Sequence, residues 1–211
     1  QFEVNGPGED TISIRHHFSL PDLDGKDLGK EFYRRPPWAV YKKGDSWVYL
    51  GISPTPGDKN LHQVATFNSD HTRAKIYNDK EEAFLKGNLH SLTMFPTDQI
   101  LLARVLADRD GCYLHSCGVN FNGHGLLFVG HSEAGKSTIA NMLKGKAEIL
   151  CDDRIIIRRQ KTEDRKQNNG FKIYGTWSHG DVPDVSASSA PLKAILFLEK
   201  AEENRIMSIN D

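Results

Sequence analysis

The sequence contains few cysteines, no excess of either charge and no long apolar run. Its three cysteines form no Cys-x-x-Cys pair, which favours a reducing, cytoplasmic setting over a disulfide-stabilised secreted fold. The formal net charge of −1 indicates no basic surface for nucleic acid. The apolar runs are too short to span a bilayer. We therefore expect neither nucleic acid nor a membrane as a partner.

The composition describes an ordered globular protein. Hydrophobic residues make up 38% and charged residues 26% of 211 residues, which is enough apolar material for a substantial core. No signal-like segment opens the sequence at Gln1, which is not a Met. Because the sequence does not begin with Met, we expect residues before Gln1. Because no helix follows the last predicted strand, we also expect residues after Asp211.

A change of pattern near residue 95 divides the sequence into two regions. In the first region, Trp38–Tyr41 and Trp47–Ile52 flank a Lys-Gly-Asp turn, a pattern typical of a β-hairpin. The second region begins with an apolar helix over 98–108 and continues with short β-like runs, interrupted by a polar loop at 159–170. We expect a small β-rich region over residues 1–95 and an α+β core over residues 96–211.

The segment GLLFVGHSEAGKSTIANMLKG, residues 125–145, carries the strongest motif. GHSEAGKS fits the phosphate-binding pattern G-x-x-x-x-G-K-[ST]. An apolar strand precedes it and a helical segment follows it, so backbone N–H groups and the helix dipole face an anion. The sequence predicts a nucleotide site formed by Gly130, His131, Ser132, Glu133, Ala134, Gly135, Lys136, Ser137 and Thr138.

A pair of acids follows the next predicted strand, in AEILCDDRIII. Asp152 and Asp153 point to opposite sides if the backbone is extended, so they are expected to differ in role. One would hold Mg²⁺ together with Ser137, and the other would accept a proton from an attacking hydroxyl. The alternative is a pair of turn acids that accept local N–H groups.

Two further segments carry candidate residues with structural alternatives. His115 is either an acid–base group or a core histidine. Trp177, His179 and Asp181 lie in a Gly-flanked loop, which either covers a ligand or forms a structural turn with a packing Trp.

Together, YLHSCGV around His115, GHSEAGKS and CDDR resemble the catalytic domain of HPr kinase/phosphorylase and its relatives. The similarity covers residues 96–211, and IYGTWSHGDVP at 173–183 is similar to a segment of HPr-kinase-related proteins of unassigned substrate. The resemblance implies a phosphoenolpyruvate-carboxykinase-like α/β or α+β fold with a mixed sheet and a P-loop. It also implies ATP and Mg²⁺ as cofactors, and phosphoryl transfer to a serine hydroxyl.

The resemblance also implies roles for individual residues. Lys136 would contact phosphates, Ser137 and Asp153 would bind the metal, Asp152 would be the general base, and His115 would lie near the transferred phosphate. The family's Glu-Arg-Gly-like step after the double aspartate is not recognisable here, so HPr is not the expected substrate. Glu133 lies inside the loop, and we expect its side chain to turn to solvent.

The leading functional hypothesis is an ATP- and Mg²⁺-dependent kinase that phosphorylates a hydroxyl on a peptide or protein. One alternative is a nucleotide-sensing module without transferase activity, whose β-rich region docks a partner. Another is a carboxykinase-like enzyme acting on a small metabolite, for which Arg154, Arg158 and Arg159 are the nearest basic cluster. No segment specifies an oligomeric interface.

Overall fold

The chain folds as two compact units, residues 3–108 and residues 1–2 with 109–211. The computed structural model describes residues 2, 5–6, 8, 11–23, 26–53, 55, 57, 60–85, 97–160 and 170–209. Most of the polar segment 159–170, predicted as a loop, lies outside these residues. Within this described part, no helix has the length and apolar character needed to cross a membrane.

The first unit is a six-stranded sheet with one packed helix. In the sheet order β1-β6-β5-β4-β3-β2, only the β1–β6 pair is parallel. The elements are β1 (Ser13–His17), β2 (Lys30–Arg35), β3 (Trp38–Lys43), β4 (Ser46–Ile52), β5 (Leu61–Phe67), β6 (Arg73–Asn78), the helical turn α1 (Glu82–Leu85) and α2 (Thr97–Ala107).

Local sequence explains these elements. The predicted first hairpin is confirmed as β3 and β4, and Gly44 in its turn has the positive φ of 56° that favours glycine. Helix α2 packs Leu101 and Val105 against Phe67 and Ile76 of the sheet. The apolar helix predicted at 98–108 therefore belongs to this unit, which ends at residue 108. The change of sequence pattern near residue 95 placed the boundary before this helix, whereas the structure places it after the helix.

A buried histidine lies in the core of this unit. His71 is fully buried, its ring stacks on Phe67 at 5.1 Å, and its Nε2 lies 2.7 Å from the hydroxyl oxygen of Tyr49. Burial, followed by the charge of Arg104, lowers the pKa of His71. Burial also raises the pKa of Tyr49 to about 12. A neutral imidazole whose Nε2 accepts a hydrogen bond from the Tyr49 hydroxyl is consistent with both shifts.

We expect this buried imidazole to make the unfolding free energy depend on pH. Because the pKa of His71 is lower in the folded state, the unfolded state binds the proton more readily. The stabilisation is fully present above about pH 6.5, the pKa of an unfolded histidine, and is lost as pH falls toward the folded-state value. Urea unfolding between pH 7.5 and 5 measures this loss.

The variant His71→Gln should reduce the pH dependence, because glutamine accepts the Tyr49 hydroxyl and does not titrate. His62→Gln, at an exposed position near Asp79, is the matched control and should retain it. An unchanged slope in His71→Gln would assign the pH dependence to other groups.

The second unit is a closed β-structure with one helix. Its sheet order is β10-β11-β12-β8-β7-β9, and β10 also pairs with β7, which closes a barrel. Only β12 and β8 are parallel. The elements are β7 (Gly111–Phe121), β8 (His124–Val129), α3 (Lys136–Leu143), β9 (Glu148–Cys151), β10 (Arg154–Arg159), β11 (Phe171–Tyr174) and β12 (Ser189–Phe197).

Strand alternation gives this unit two apolar layers. Leu127 of β8 packs with Ile155 and Ile173 in one cluster. Its neighbour Phe128 packs with Ala140 of α3 in another cluster, because successive strand residues point to opposite faces. Helix α3 therefore covers one outer face of the barrel.

The expected phosphoenolpyruvate-carboxykinase-like α/β core is wrong. The second unit is mostly β-structure, with a five-stranded barrel of β7, β8, β10, β11 and β12. A strand–loop–helix unit is usually followed by a parallel neighbouring strand. Here the strand after α3 does not pair with β8; it pairs with β7 in antiparallel orientation. The hairpin between β7 and β8, with positive φ at Asn122 and Gly123, also replaces a helical crossover.

One glycine marks a close backbone approach in this unit. A Cβ on Gly175 would lie 1.9 Å from the carbonyl oxygen of Ser186 and 2.8 Å from that of Leu150. The amide of Ser186 in turn donates to the carbonyl of Leu150 at 3.0 Å. This bond holds the carbonyl of Leu150 in place against an added methyl group.

We expect Gly175→Ala to lower the unfolding free energy by about 3 kcal/mol or more, because the backbone must shift to admit the methyl group. Urea unfolding followed by tryptophan fluorescence measures the loss. Gly8→Ala is the control, since a Cβ there meets nothing within 4 Å. Equal stability of the two variants would contradict the close approach.

Candidate active site

The pairing of β7 with its neighbouring strands brings the glycine-rich loop and the paired acids to either side of Ser116. Ser116 of β7 pairs with Val129, the last residue of β8. On its other side, the amide of Ser116 donates to the carbonyl of Asp153 at 3.0 Å. The phosphate-loop strand and the paired acids thus flank the same position of β7, two strand spacings or about 10 Å apart. His115 directly precedes Ser116 in β7.

The paired acids occupy a break in a long ladder. Strands β9 and β10 both pair with β7, with Cys151 opposite Gly118 and Arg154 opposite His115 in the same register. The register shifts by one residue within β9, between the partners of Gly118 and Val119. Asp152 and Asp153 form a bend between the two strands. The buried thiol of Cys151 accepts the amides of Asp153 and Arg154, each at 3.3 Å, so it holds the bend in place.

The glycine-rich loop connects β8 to α3 with a backbone suited to its sequence. Gly135 precedes the helix with φ of 107°, and a Cβ on Gly130 would lie 2.6 Å from the Cβ of Ala134. Glu133 also has a positive φ, 66°, and is exposed. The N-terminus of α3 follows directly, so the loop amides and the helix dipole provide a positive environment for an anion.

Lys136 is buried at the start of α3, with 7% of its surface exposed. Its Nζ donates to the carbonyls of Gly130 at 2.9 Å and His131 at 3.0 Å. These two bonds keep the ammonium group inside the curve of the loop. The His131 ring contacts the neighbouring Ser132 carbonyl.

Asp152 joins three chain segments. It is 2% exposed, and its Oδ2 accepts the hydroxyl of Ser137 at 2.9 Å and the amide of Val182 at 3.0 Å. Its Oδ1 accepts the amide of Gly180 at 2.6 Å. A Cβ on Gly180 would lie 3.2 Å from Oδ2, so glycine permits this approach.

Asp153 is more accessible than Asp152, with 24% of its side chain exposed. Its Oδ1 contacts Nε2 of His115 at 3.1 Å, and its Oδ2 accepts the hydroxyl of Ser178 at 3.3 Å. Nε of Arg154 lies 3.6 Å from the same oxygen. The two neighbouring acids therefore have different environments, as the sequence predicts.

The protonation state of His115 follows from its surroundings. Burial, followed by the charges of Lys136 and Arg154, lowers the pKa of His115, although Asp153 opposes this shift. The imidazole is therefore neutral at pH 7, and its Nε2–H donates to Asp153.

These groups line a cavity of about 280 Å³. Its lining includes Lys136 and Ser137 of the motif together with His115, Asp152 and Asp153. The volume is close to the lower limit of small-molecule pockets. Six further residues also line it: Ser132, Glu133, Gly135, Thr138, Gly180 and Asp181.

The site has few candidate metal ligands. Among the described residues, no group of three or more His, Cys, Asp and Glu side chains is arranged to hold an ion. Ser137 and Asp152 provide two adjacent oxygens. This suits Mg²⁺, which keeps several waters and takes few protein ligands beside substrate phosphates.

Sequence reasoning missed the groups that anchor the acids from a distance. The amides of Gly180 and Val182, the hydroxyl of Ser178 and the thiol of Cys151 all contact this site. The segment IYGTWSHGDVP signalled the loop as a candidate, but no spacing indicates which backbone amide meets which acid.

Residues 84–211 match the family described as SynChlorMet cassette protein ScmC. The chain belongs to the ScmC family. No curated protein matches the sequence of this ScmC-family chain.

The expected membership of the HPr kinase/phosphorylase group is therefore wrong, as is its description as an HPr-kinase-like P-loop kinase. The family match is to ScmC, and the barrel departs from the implied α/β fold. The misleading segments, YLHSCGV, GHSEAGKS and CDDR, are short and local. Such segments indicate which residue types lie at a site. They do not indicate the fold, which depends on how the strands pair.

We expect Asp152→Ala to destabilise this ScmC-family chain by about 2–4 kcal/mol, because the Ser137 hydroxyl and two amides lose their acceptor inside the protein. Asp153→Ala is the matched control and should cost less than half as much, since Asp153 is partly exposed. Urea unfolding compares the two. Equal losses would show that Asp152 does not anchor the three segments.

Proposed function

We propose that this ScmC-family chain binds ATP and Mg²⁺ and transfers the γ-phosphoryl group to the hydroxyl of a serine in a peptide or protein. One observation carries the proposal: the loop serine, Ser137, donates to Asp152 at 2.9 Å, while Asp153 faces the same cavity. A phosphate loop needs a nearby carboxylate and a group that orients the nucleophile before it can transfer phosphate.

The loop side of the cavity supports phosphate binding. The amides before α3 and the Nζ of Lys136 offer positive groups to the terminal phosphates. The carbonyls of Gly130 and His131 already hold the ammonium in place, so little reorganisation is needed when an anion binds. Glu133 is exposed at the same wall, and its charge opposes anion binding unless its carboxylate remains in solvent.

Ser137 and Asp152 are the groups best placed to hold the metal. Both oxygens of Asp152 already accept hydrogen bonds, which fixes its orientation and leaves it poorly placed to collect a proton from an incoming hydroxyl. When bound, Mg²⁺ would neutralise charge on the phosphate oxygens. The geometry therefore favours Asp152 at the metal, the reverse of the assignment implied by the resemblance.

Asp153 is the better general base. Its carboxylate is partly exposed and already accepts a hydroxyl, that of Ser178, which is the contact an acceptor alcohol would make. The neutral imidazole of His115 donates to its other oxygen and fixes its orientation. His115 is therefore a positioning residue, and Asp153 accepts the proton.

The proposal places the reaction in a reducing compartment that contains ATP, the cytoplasm. Cys117 and Cys151 are buried free thiols next to the site, and such thiols persist where disulfides do not form.

Lys136→Ala should lower ATP turnover roughly 100- to 1,000-fold, because one cationic donor to the transferring group is lost. ADP release with Mg²⁺ and a serine-containing peptide library measures this effect. Far-UV circular dichroism and urea unfolding check the fold. Lys144→Ala, which removes an exposed lysine paired with Asp184, is the matched control. Full turnover in folded Lys136→Ala would refute the proposal.

Variants of Asp152 and Asp153 should lose different steps of the proposed reaction. Asp153→Asn should retain ATP binding and lower transfer roughly 100- to 10,000-fold, because the base is lost. Asp152→Asn should weaken the Mg²⁺ dependence of ATP binding, measured by titration calorimetry with and without the ion. Tight, Mg²⁺-dependent ATP binding by the unaltered chain without any product would instead favour a nucleotide-sensing module.

A further inference from the structure

Ser178 places a hydroxyl of the chain itself on the proposed base. Its Oγ donates to Oδ2 of Asp153 at 3.3 Å, and the other oxygen of Asp153 contacts His115 at 3.1 Å. An acceptor alcohol awaiting deprotonation requires this kind of contact. Ser178 is half-buried, in the loop that follows β11.

The loop around Ser178 is fixed to the site. The Ser178 amide donates to Oγ1 of Thr176 at 3.3 Å, and its carbonyl accepts the thiol of Cys151. Two residues later, the Gly180 amide donates to Asp152 at 2.6 Å. Gly180 and the next residue, Asp181, line the cavity that contains Lys136. Ser178 is thus held next to the cavity wall.

Other serines near the acids have different partners. The Ser137 hydroxyl donates to Asp152, whose two oxygens are both occupied and which is almost fully buried. The Ser186 hydroxyl donates to Glu148 at 2.6 Å, on β9 and not at the paired acids. Ser178 is therefore distinguished by its contact with the accessible acid.

We propose that Ser178 is an intramolecular phosphorylation site, modified by ATP bound in the same chain. The inference rests on the proposed function and names one acceptor for it. A bond forms between Oγ of Ser178 and the γ-phosphorus. The bond from that phosphorus to the β–γ bridging oxygen breaks, ADP leaves, and the Ser178 proton passes to Asp153.

Modification would change the local contacts. Phosphoserine cannot donate to Asp153, and its added negative charge repels that carboxylate. Arg154, whose Nε lies 3.6 Å from Asp153, is the nearest guanidinium available to pair with the new phosphate. Phosphorylation therefore releases Asp153 from the loop and leaves it open to an external hydroxyl.

The test is incubation of the purified chain with Mg²⁺ and γ-labelled ATP, followed by intact-mass analysis and phosphopeptide sequencing. We expect one phosphoryl group on Ser178, formed with a rate constant independent of protein concentration. Incorporation at another residue, or a rate constant proportional to protein concentration, would overturn the inference.

Three variants sharpen this test. Ser178→Ala should incorporate no label, whereas Ser178→Thr, which retains a hydroxyl, should restore incorporation as phosphothreonine. Ser188→Ala removes a serine beside Glu148 and should leave labelling unchanged. Labelling of Ser178→Ala equal to that of the unaltered chain would overturn the inference even if Ser178→Thr fails to fold.

Failure of this inference is distinguishable from failure of the proposed function. If the chain binds ATP and phosphorylates a peptide library in a Lys136-dependent manner but Ser178 stays unmodified, only the inference is wrong. If the chain neither binds nor turns over ATP, both are wrong.

Discussion

The candidate site depends on the carboxylate of Asp152. This almost fully buried group accepts the Ser137 hydroxyl and the amides of Gly180 and Val182, so it joins the phosphate loop, the ladder break and the loop after β11. Burying a carboxylate is unfavourable unless hydrogen bonds compensate. The three donors meet that requirement, and in doing so they join segments whose residues, among them Lys136 and Asp153, line one cavity.

A closed barrel is what allows this geometry to form. Strand β7 pairs with β8 on one side and with both β9 and β10 on the other, so Ser116 lies between the last residue of β8 and the bend at Asp152 and Asp153. The bend disrupts the ladder at the position where polar side chains are needed. An interrupted strand commonly redirects side chains near a functional site, and the Cys151 thiol stabilises this interruption from within the barrel.

The differing surroundings of the two acids give the site its chemical asymmetry. Asp152 uses both oxygens in fixed hydrogen bonds, whereas Asp153 is partly exposed between His115 and Ser178. The proposed chemistry, which assigns a cation to one carboxylate and proton removal to the other, depends on such a difference in environment. The match to the ScmC family over residues 84–211 includes every residue of this site, so the asymmetry lies within the matched region.

The sequence alone predicted most of the local elements and drew attention to most of the residues that line the cavity. Strands such as β3, β4 and β9 and helices α2 and α3 lie close to where their patterns predicted them, because alternation, turn residues and helix composition act over short distances. The GHSEAGKS loop and the paired acids were recognisable for the same reason. Only the tertiary structure decided that β9 pairs with β7 and that β10 closes a barrel. It also decided that α2 belongs to the first unit and that Asp152, not Asp153, binds Ser137. Those outcomes depend on strand pairing and on backbone amides far apart in the chain, and no local pattern of residue types records them.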